Sequence, residues 1–183
     1  MVMAKLIVGV MGPDGPGIIA RISRRLFTFG CNIEDVSQST LQTEFSGTFI
    51  ISAPDDQVVE DLQDQLRNDF PGFSVVVKEM AGAETSKPKE AQPYIITTSG
   101  ADQMGLVAQI SEIIAKHSIN ITNLRAVFRG GWNPRDNIMI YEVDVPDDTD
   151  IDAFRRELRS RGEDLALEVN IQHRRIFETI NRI

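Results

Sequence analysis

Little in this chain suits covalent or metal chemistry. It has a single cysteine, Cys31, so no internal disulfide can form, which fits a reducing cytoplasm. Its two histidines, His117 and His173, belong to no nucleophile motif with Cys31 and to no metal-ligand spacing. No apolar run approaches the roughly 18 residues of a membrane span. The N-terminus opens on a strand-like run without the pattern of a signal peptide. Basic residues are also scarce: 19 Lys and Arg stand against 27 Asp and Glu, a formal charge of −8. That balance argues against holding nucleic acid directly, since phosphate neutralisation dominates such binding. The expectation is a cytoplasmic protein with no cofactor, no catalytic residues, no membrane partner and no direct nucleic-acid partner.

What the chain does have is an internal repeat. Gly12-Pro13-Asp14-Gly15-Pro16-Gly17-Ile18-Ile19-Ala20-Arg21-Ile22-Ser23 returns as Gly100-Ala101-Asp102-Gln103-Met104-Gly105-Leu106-Val107-Ala108-Gln109-Ile110-Ser111. The offset of 88 residues (105 − 17) still holds where Asn32-Ile33 returns as Asn120-Ile121. A register kept this long marks a duplicated unit.

Each copy spells β-α-β-β-α-β. In the first, Lys5–Met11 is a strand, and Ile19, Ile22, Leu26 and Phe29 form one stripe of a helix that Gly30 ends. Pro16 suits the helix's first turn, with Asp14 or Gly15 as its cap. Ile33–Leu41 and Glu44–Ser52 make a hairpin. Pro54-Asp55-Asp56 starts a second helix with Val59, Leu62 and Leu66 inward, and Ser74–Glu79 closes the sheet. In the second copy Tyr94–Ser99 is the first strand, and Val107, Ile110, Ile114 and His117 repeat the stripe. Ile121–Arg129 and Asn137–Val145 pair, and Asp147-Asp148 marks the second helix start. Ala166–Ile171 ends the sheet. By then the offset is 92 (146 − 54), so four residues have been inserted in the hairpin, around Gly130-Gly131-Trp132-Asn133-Pro134.

The fold expected is α+β, two tandem ferredoxin-like βαββαβ domains. Their expected bounds are 1–80 and 94–172, with a polar, proline-bearing linker at 81–93 and a helical tail at 173–183. Leu124, Ala126 and Phe128 fall on one face of their strand, and Ile121 and Val127 on the other. Apolar residues on both faces predict association between repeats or chains, with a homodimer as the expected state.

What both copies keep is Asp, then Gly three residues on, at a helix start, with Asn where the next strand begins. Free first-turn N–H groups suit a carboxylate, glycine admits a ligand to the backbone, and Asp or Asn accepts an ammonium group. Read structurally, the same residues only cap helices and turn the chain, leaving a ligand-free interaction module. Gly12-x-x-Gly15-x-Gly17 lacks the Gly-Lys-Ser/Thr of a nucleotide loop, and the second copy has Gln103 for Gly15. An acylphosphatase-like enzyme would need an arginine in the loop, whereas Arg21 lies inside the helix.

The doubled Asp-x-x-Gly-[IL]-[IV]-Ala-x-Ile-Ser, each followed by Asn-Ile, resembles the ACT domain, and the resemblance covers both repeats. It implies a non-enzymatic regulator that binds a small amino acid, glycine or serine, and acts through a regulatory protein partner. Carried over, the ligand contacts are Asp14, Gly17, Ile18, Asn32 and Ile33, and Asp102, Gly105, Leu106, Asn120 and Ile121.

Overall fold

The alternating run at the front of the chain becomes strand β1 (Ala4–Pro13), with Leu6, Val8 and Val10 buried on one face and Met11 exposed on the other. The computed structural model describes residues 4–54, 58–80, 90–128 and 137–175. Helix α1 (Ile18–Thr28), strands β2 (Asn32–Leu41) and β3 (Glu44–Ala53), helix α2 (Val58–Asp69) and strand β4 (Ser74–Glu79) complete the first unit. The order returns as β5 (Ala91–Gly100), α3 (Leu106–Lys116), β6 (Asn120–Phe128), β7 (Asn137–Pro146), α4 (Ile151–Asp164) and β8 (Leu167–His173). Each unit is one antiparallel sheet, ordered β2-β3-β1-β4 and β6-β7-β5-β8, the ferredoxin-like α+β arrangement expected.

The chain divides into two compact units, Met1–Glu84 and Thr85–Ile183. Strand β5 begins at Ala91, three residues earlier than Tyr94, so residues assigned to the linker pair with β7. Pro93 fits there because β8 stops short of it, its last pair being His173 with Tyr94. The Trp132 loop, Asp55-Asp56 and most of the expected tail lie outside the described residues.

Both first helices turn the expected face inward except at its first residue. Ile22, Leu26, Ile110 and Ile114 are buried and Phe29 and His117 half-buried, but Ile18 and Leu106 take the places expected of Ile19 and Val107. Ile18, Ile22 and Leu26 are buried on α1, and Leu106, Ile110, Ile113 and Ile114 on α3. Ile19 and Val107 are exposed. With three apolar residues in a row at each helix start, spacing alone cannot choose between neighbours. Burying one such side chain is worth about 1.5–3 kcal/mol, so these few hold each helix down. Gly30 (φ +69) ends α1 by a Schellman pattern, Gly30 N–H to Phe27 O and Cys31 N–H to Leu26 O. Ser118 (φ +57) does the same for α3, and Cys31 and Ile119 drop into their cores.

A bulge interrupts β2 between Ile33 and Asp35, and another interrupts β6 between Ile121 and Asn123. The extra residue flips the alternation. Ile121 therefore joins Leu124 and Ala126 on the helix-covered face, where it packs on the core, and not on the opposite face as simple alternation placed it. The register also fixes the insertion. Thr40 pairs with Phe45 in the first hairpin and Phe128 with Asn137 in the second. All four added residues lie between those pairs.

Charged clamps tie the two helices of each unit. Arg25 grips Asp69 with two bonds of 2.5 and 2.7 Å, and Arg21 lies 4.3 Å over the Phe70 ring while donating to the Asp69 carbonyl. In the second unit Glu157 accepts from Lys116 at 2.7 Å and meets His117 Nε2 at 3.0 Å. His117 is half-buried with its ring against Phe154, the structural role expected of it. Hydrogen bonds from Arg25, and then its charge, hold the Asp69 carboxyl below the usual carboxylate range despite partial desolvation. A carboxylate depressed in the folded state stabilises above its unfolded pKa and loses that contribution as pH falls through the folded value. Asp69→Asn should therefore lower the urea midpoint at neutral pH, with the gap from wild type closing between about pH 5 and about pH 2. A gap that stays constant across that range would show that the charge on Asp69 adds no stability.

Candidate functional site

The two Asp-x-x-Gly loops lie between the first strand and first helix of each unit. Gly17 and Gly105 take left-handed backbone angles (φ +87 and +86) at the N-cap position, and neither helix receives a side-chain cap. A side chain is strained there, which accounts for glycine in both copies. Asp14 and Asp102 do not cap, contrary to the expectation, because the left-handed glycine separates them from the first turn. Pro16 likewise stands before the N-cap rather than in the first turn. Helix α4 has the ordinary alternative: Asp150, not Asp147 or Asp148, caps it and accepts from the Asp152 and Ala153 N–H groups at 3.1 and 2.9 Å. The first-turn N–H groups of α1 and α3 have no such acceptor and carry the positive end of the helix dipole.

In the first unit the loop overlooks a cleft of about 400 Å³ between α1 and edge strand β2. Asp14, Gly15 and Gly17 form its rim, Ile18, Ile19 and Ala20 the helix side, Gln38 the strand side and Phe45 the floor. The Asp14 N–H bonds to the Thr43 carbonyl at 2.8 Å, and the Thr40 hydroxyl donates to the Asp14 carboxylate at 3.3 Å. In the second unit Gln103 stands for Gly15 and donates to the Leu165 carbonyl at 2.7 Å, so this loop is fastened to the α4–β8 turn. Asn137 Nδ2 lies 3.5 Å from Asp102 Oδ1.

The structure brings together only part of the expected site. Asp14 and Gly17 share the cleft rim with Ile18, which also packs in the core at 7% exposure. Asp102 and Gly105 share the second loop, and Leu106 beside them is core. Asn32 and Ile33 are elsewhere. Asn32 pairs with Ser52, eight residues along β3 from Glu44, which pairs with Pro13 beside the loop. At about 3.3 Å per residue that is about 25 Å away, at the other end of the sheet. Asn120, paired with Asp144, and its neighbour Ile121 lie equally far from Asp102. Both asparagines are exposed, while Ile33 and Ile121 pack against their cores. Motif reading missed Gln38 and Thr40. Their alternation along β2 on the Phe45 face is the one signal that could have found them.

Among the described residues no group of three His, Cys, Asp or Glu is placed to hold a metal ion, and no helix is long and apolar enough to cross a membrane. Arg21 points to α2 rather than to the loop.

Two ferredoxin-like units, each opening its first helix with an uncapped left-handed glycine, define a tandem α+β module. The chain belongs to the ACT domain family, whose pattern matches residues 4–77 and 92–172. It is 30% identical over 92 residues to a UPF0237 protein of Methanosarcina acetivorans, covering 49% of this chain and 95% of that one. It is 34% identical over 89 residues to a UPF0237 protein of Pyrobaculum aerophilum, covering 49% and 96%. These relatives carry one unit where this chain has two. Its fold matches an unknown protein from Galdieria sulphuraria (TM-score 0.78, 20% identity, 94% of this chain and 99% of that one). It also matches a candidate glycine cleavage system transcriptional repressor (TM-score 0.70, 18% identity, 94% and 98%).

Removing a true cap costs about 0.5–2 kcal/mol. Asp150→Ala should lose that much in urea unfolding, while Asp14→Ala should stay within about 0.5 kcal/mol of wild type because its carboxylate serves no first-turn N–H. Equal losses would restore Asp14 as a structural cap.

Proposed function

We propose that this chain is a non-enzymatic cytoplasmic regulator that binds a small amino acid, glycine or serine, at its Asp-x-x-Gly loops. The observation that carries this reading is the pair of uncapped helix N-termini, each beside an aspartate that does not cap. The first-turn N–H groups suit the ligand's carboxylate, and Asp14 or Asp102 suits its ammonium group. Gly17 and Gly105 leave the backbone open to approach. Asn32 and Asn120 take part only if another copy of the unit sets its own β2 or β6 start against the loop, and a homodimer is part of the proposal. Ligand then changes how copies pair, and so the surface a partner protein meets. The likeness to a candidate glycine cleavage system transcriptional repressor, a likeness of fold, makes the regulation of glycine cleavage genes the setting to test first. A ligand-free interaction module of the same fold is the alternative. It is weakened because the aspartates do not serve the helices they precede.

Calorimetric titration of the full chain with glycine and L-serine tests the proposal. We expect micromolar-to-millimolar binding of one of them, weakened about tenfold or more in Asp14→Ala or Asp102→Ala, the loss of a charge-assisted hydrogen bond. No heat from any amino acid, with the protein folded, would favour the interaction module.

A further inference from the structure

The floors beneath the two loops differ in chemistry. In the first unit Phe45 pairs with Gly12, and Val10 pairs with Gly47, all facing the core. The matching pairs in the second unit are Asn137 with Gly100 and Thr98 with Met139. Two apolar positions have become polar without becoming exposed: Asn137 is 5% exposed and Thr98 0%. They are diagonal neighbours across adjacent strands, within about 7–8 Å of each other.

Asn137 Oδ1 and Thr98 Oγ1 are buried and have no hydrogen-bond partner among the described residues. The Asp102 carboxylate sets the orientation of the amide, because only Nδ2 can donate to it, and Oδ1 is left without a donor. Buried polar atoms are ordinarily paired, and an orphan is destabilising. The first unit shows that the fold accepts Phe and Val at these places, so the backbone does not demand Asn and Thr. Asn137 stands directly under the α3 loop, opposite the glycine two residues before Asp102.

We propose that the second unit reads the side chain of its ligand, with Asn137 Oδ1 accepting a hydrogen bond from a hydroxyl or amide and Thr98 Oγ1 supporting it. This rests on the amino-acid reading above and narrows it. The α3 first turn takes the carboxylate, Asp102 the ammonium group, and Asn137 a neutral donor on the side chain. The ligand class for this unit is a small hydroxyl- or amide-bearing amino acid. The first unit, floored by Phe45 with Val10 in the core beneath, has no such selectivity.

The test titrates the full chain with isosteric pairs: L-serine against L-2-aminobutyrate, L-threonine against L-valine, and L-asparagine against L-leucine. In at least one pair the polar member should bind about tenfold tighter or better, as expected when a site would otherwise leave a buried acceptor unpaired. Asn137→Leu should narrow that gap to about twofold, and Thr98→Val should reduce it. Without ligand, Asn137→Leu should melt at or above the wild-type temperature, since it removes an orphaned oxygen. Equal affinity within every pair, with binding still lost in Asp102→Ala, would overturn this inference and leave the amino-acid reading standing. So would an Asn137→Leu chain that melts several degrees lower and keeps its preference, because the amide would then be structural. Binding of none of these compounds, nor of glycine, would end both.

Discussion

Each unit depends on one backbone constraint, a left-handed glycine placed just before the first helix. At Gly17 and Gly105 the chain turns where side chains are strained, and the helix starts with no side chain over its end. That turn sets which way the helix faces, and so sends Ile18 and Leu106 into the cores while Ile19 and Val107 stay outside. It also withdraws the preceding aspartate from the capping position. A residue type that usually stabilises a helix by a cap thereby stands at a positive helix end without capping it, Asp14 accepting from Thr40 and Asp102 from Asn137 instead. The candidate site follows from that arrangement.

Duplication kept this constraint and changed what surrounds it. The first loop leans on its own hairpin through Thr43 and Thr40, whereas the second is fastened by Gln103 to the turn before β8. Helices joined by Arg25 and Asp69 in one unit are joined by Lys116, His117 and Glu157 in the other. Burial lifts the pKa of Tyr141, on β7, to about 12, and its hydroxyl points at Met139 sulfur, where the first unit has Phe49 and Gly47. The second core thus holds polar atoms from Asn137 to Tyr141 along a strand that is apolar in its counterpart. Two copies of one scaffold need not hold the same ligand.

The repeat, the element order and the place of the insertion were legible in the sequence because each rests on local patterns: apolar periodicity, glycine stops and a constant offset. Four features were not. The residue that the first turn of α1 and α3 sends inward depends on a backbone angle at Gly17 and Gly105, and runs such as Ile18-Ile19 give periodicity no means of choosing there. The bulges before Asp35 and Asn123 shift the alternation by one residue, which moved Ile121 to the core side. The separation of Asn32 from Asp14 comes from strand order. The helix returns the chain to the far end of the sheet before β2 begins, so residues close in a motif end about 25 Å apart. Asn137 was seen only as a strand start, since its lack of a partner is a tertiary fact.

The account stands on the free amides at the two helix starts meeting a carboxylate. The direct measurement is amide NMR of the full-length, nitrogen-15-labelled chain during titration with glycine and then with glycinamide, which keeps the ammonium group and lacks the carboxylate. If the account holds, resonances of Gly17, Ile18 and Ile19 or of Gly105, Leu106 and Val107 move with glycine, or with serine against serinamide, and stay in place with the amide. Binding that leaves both sets unmoved, or moves them equally with the carboxylate-free compound, would contradict it.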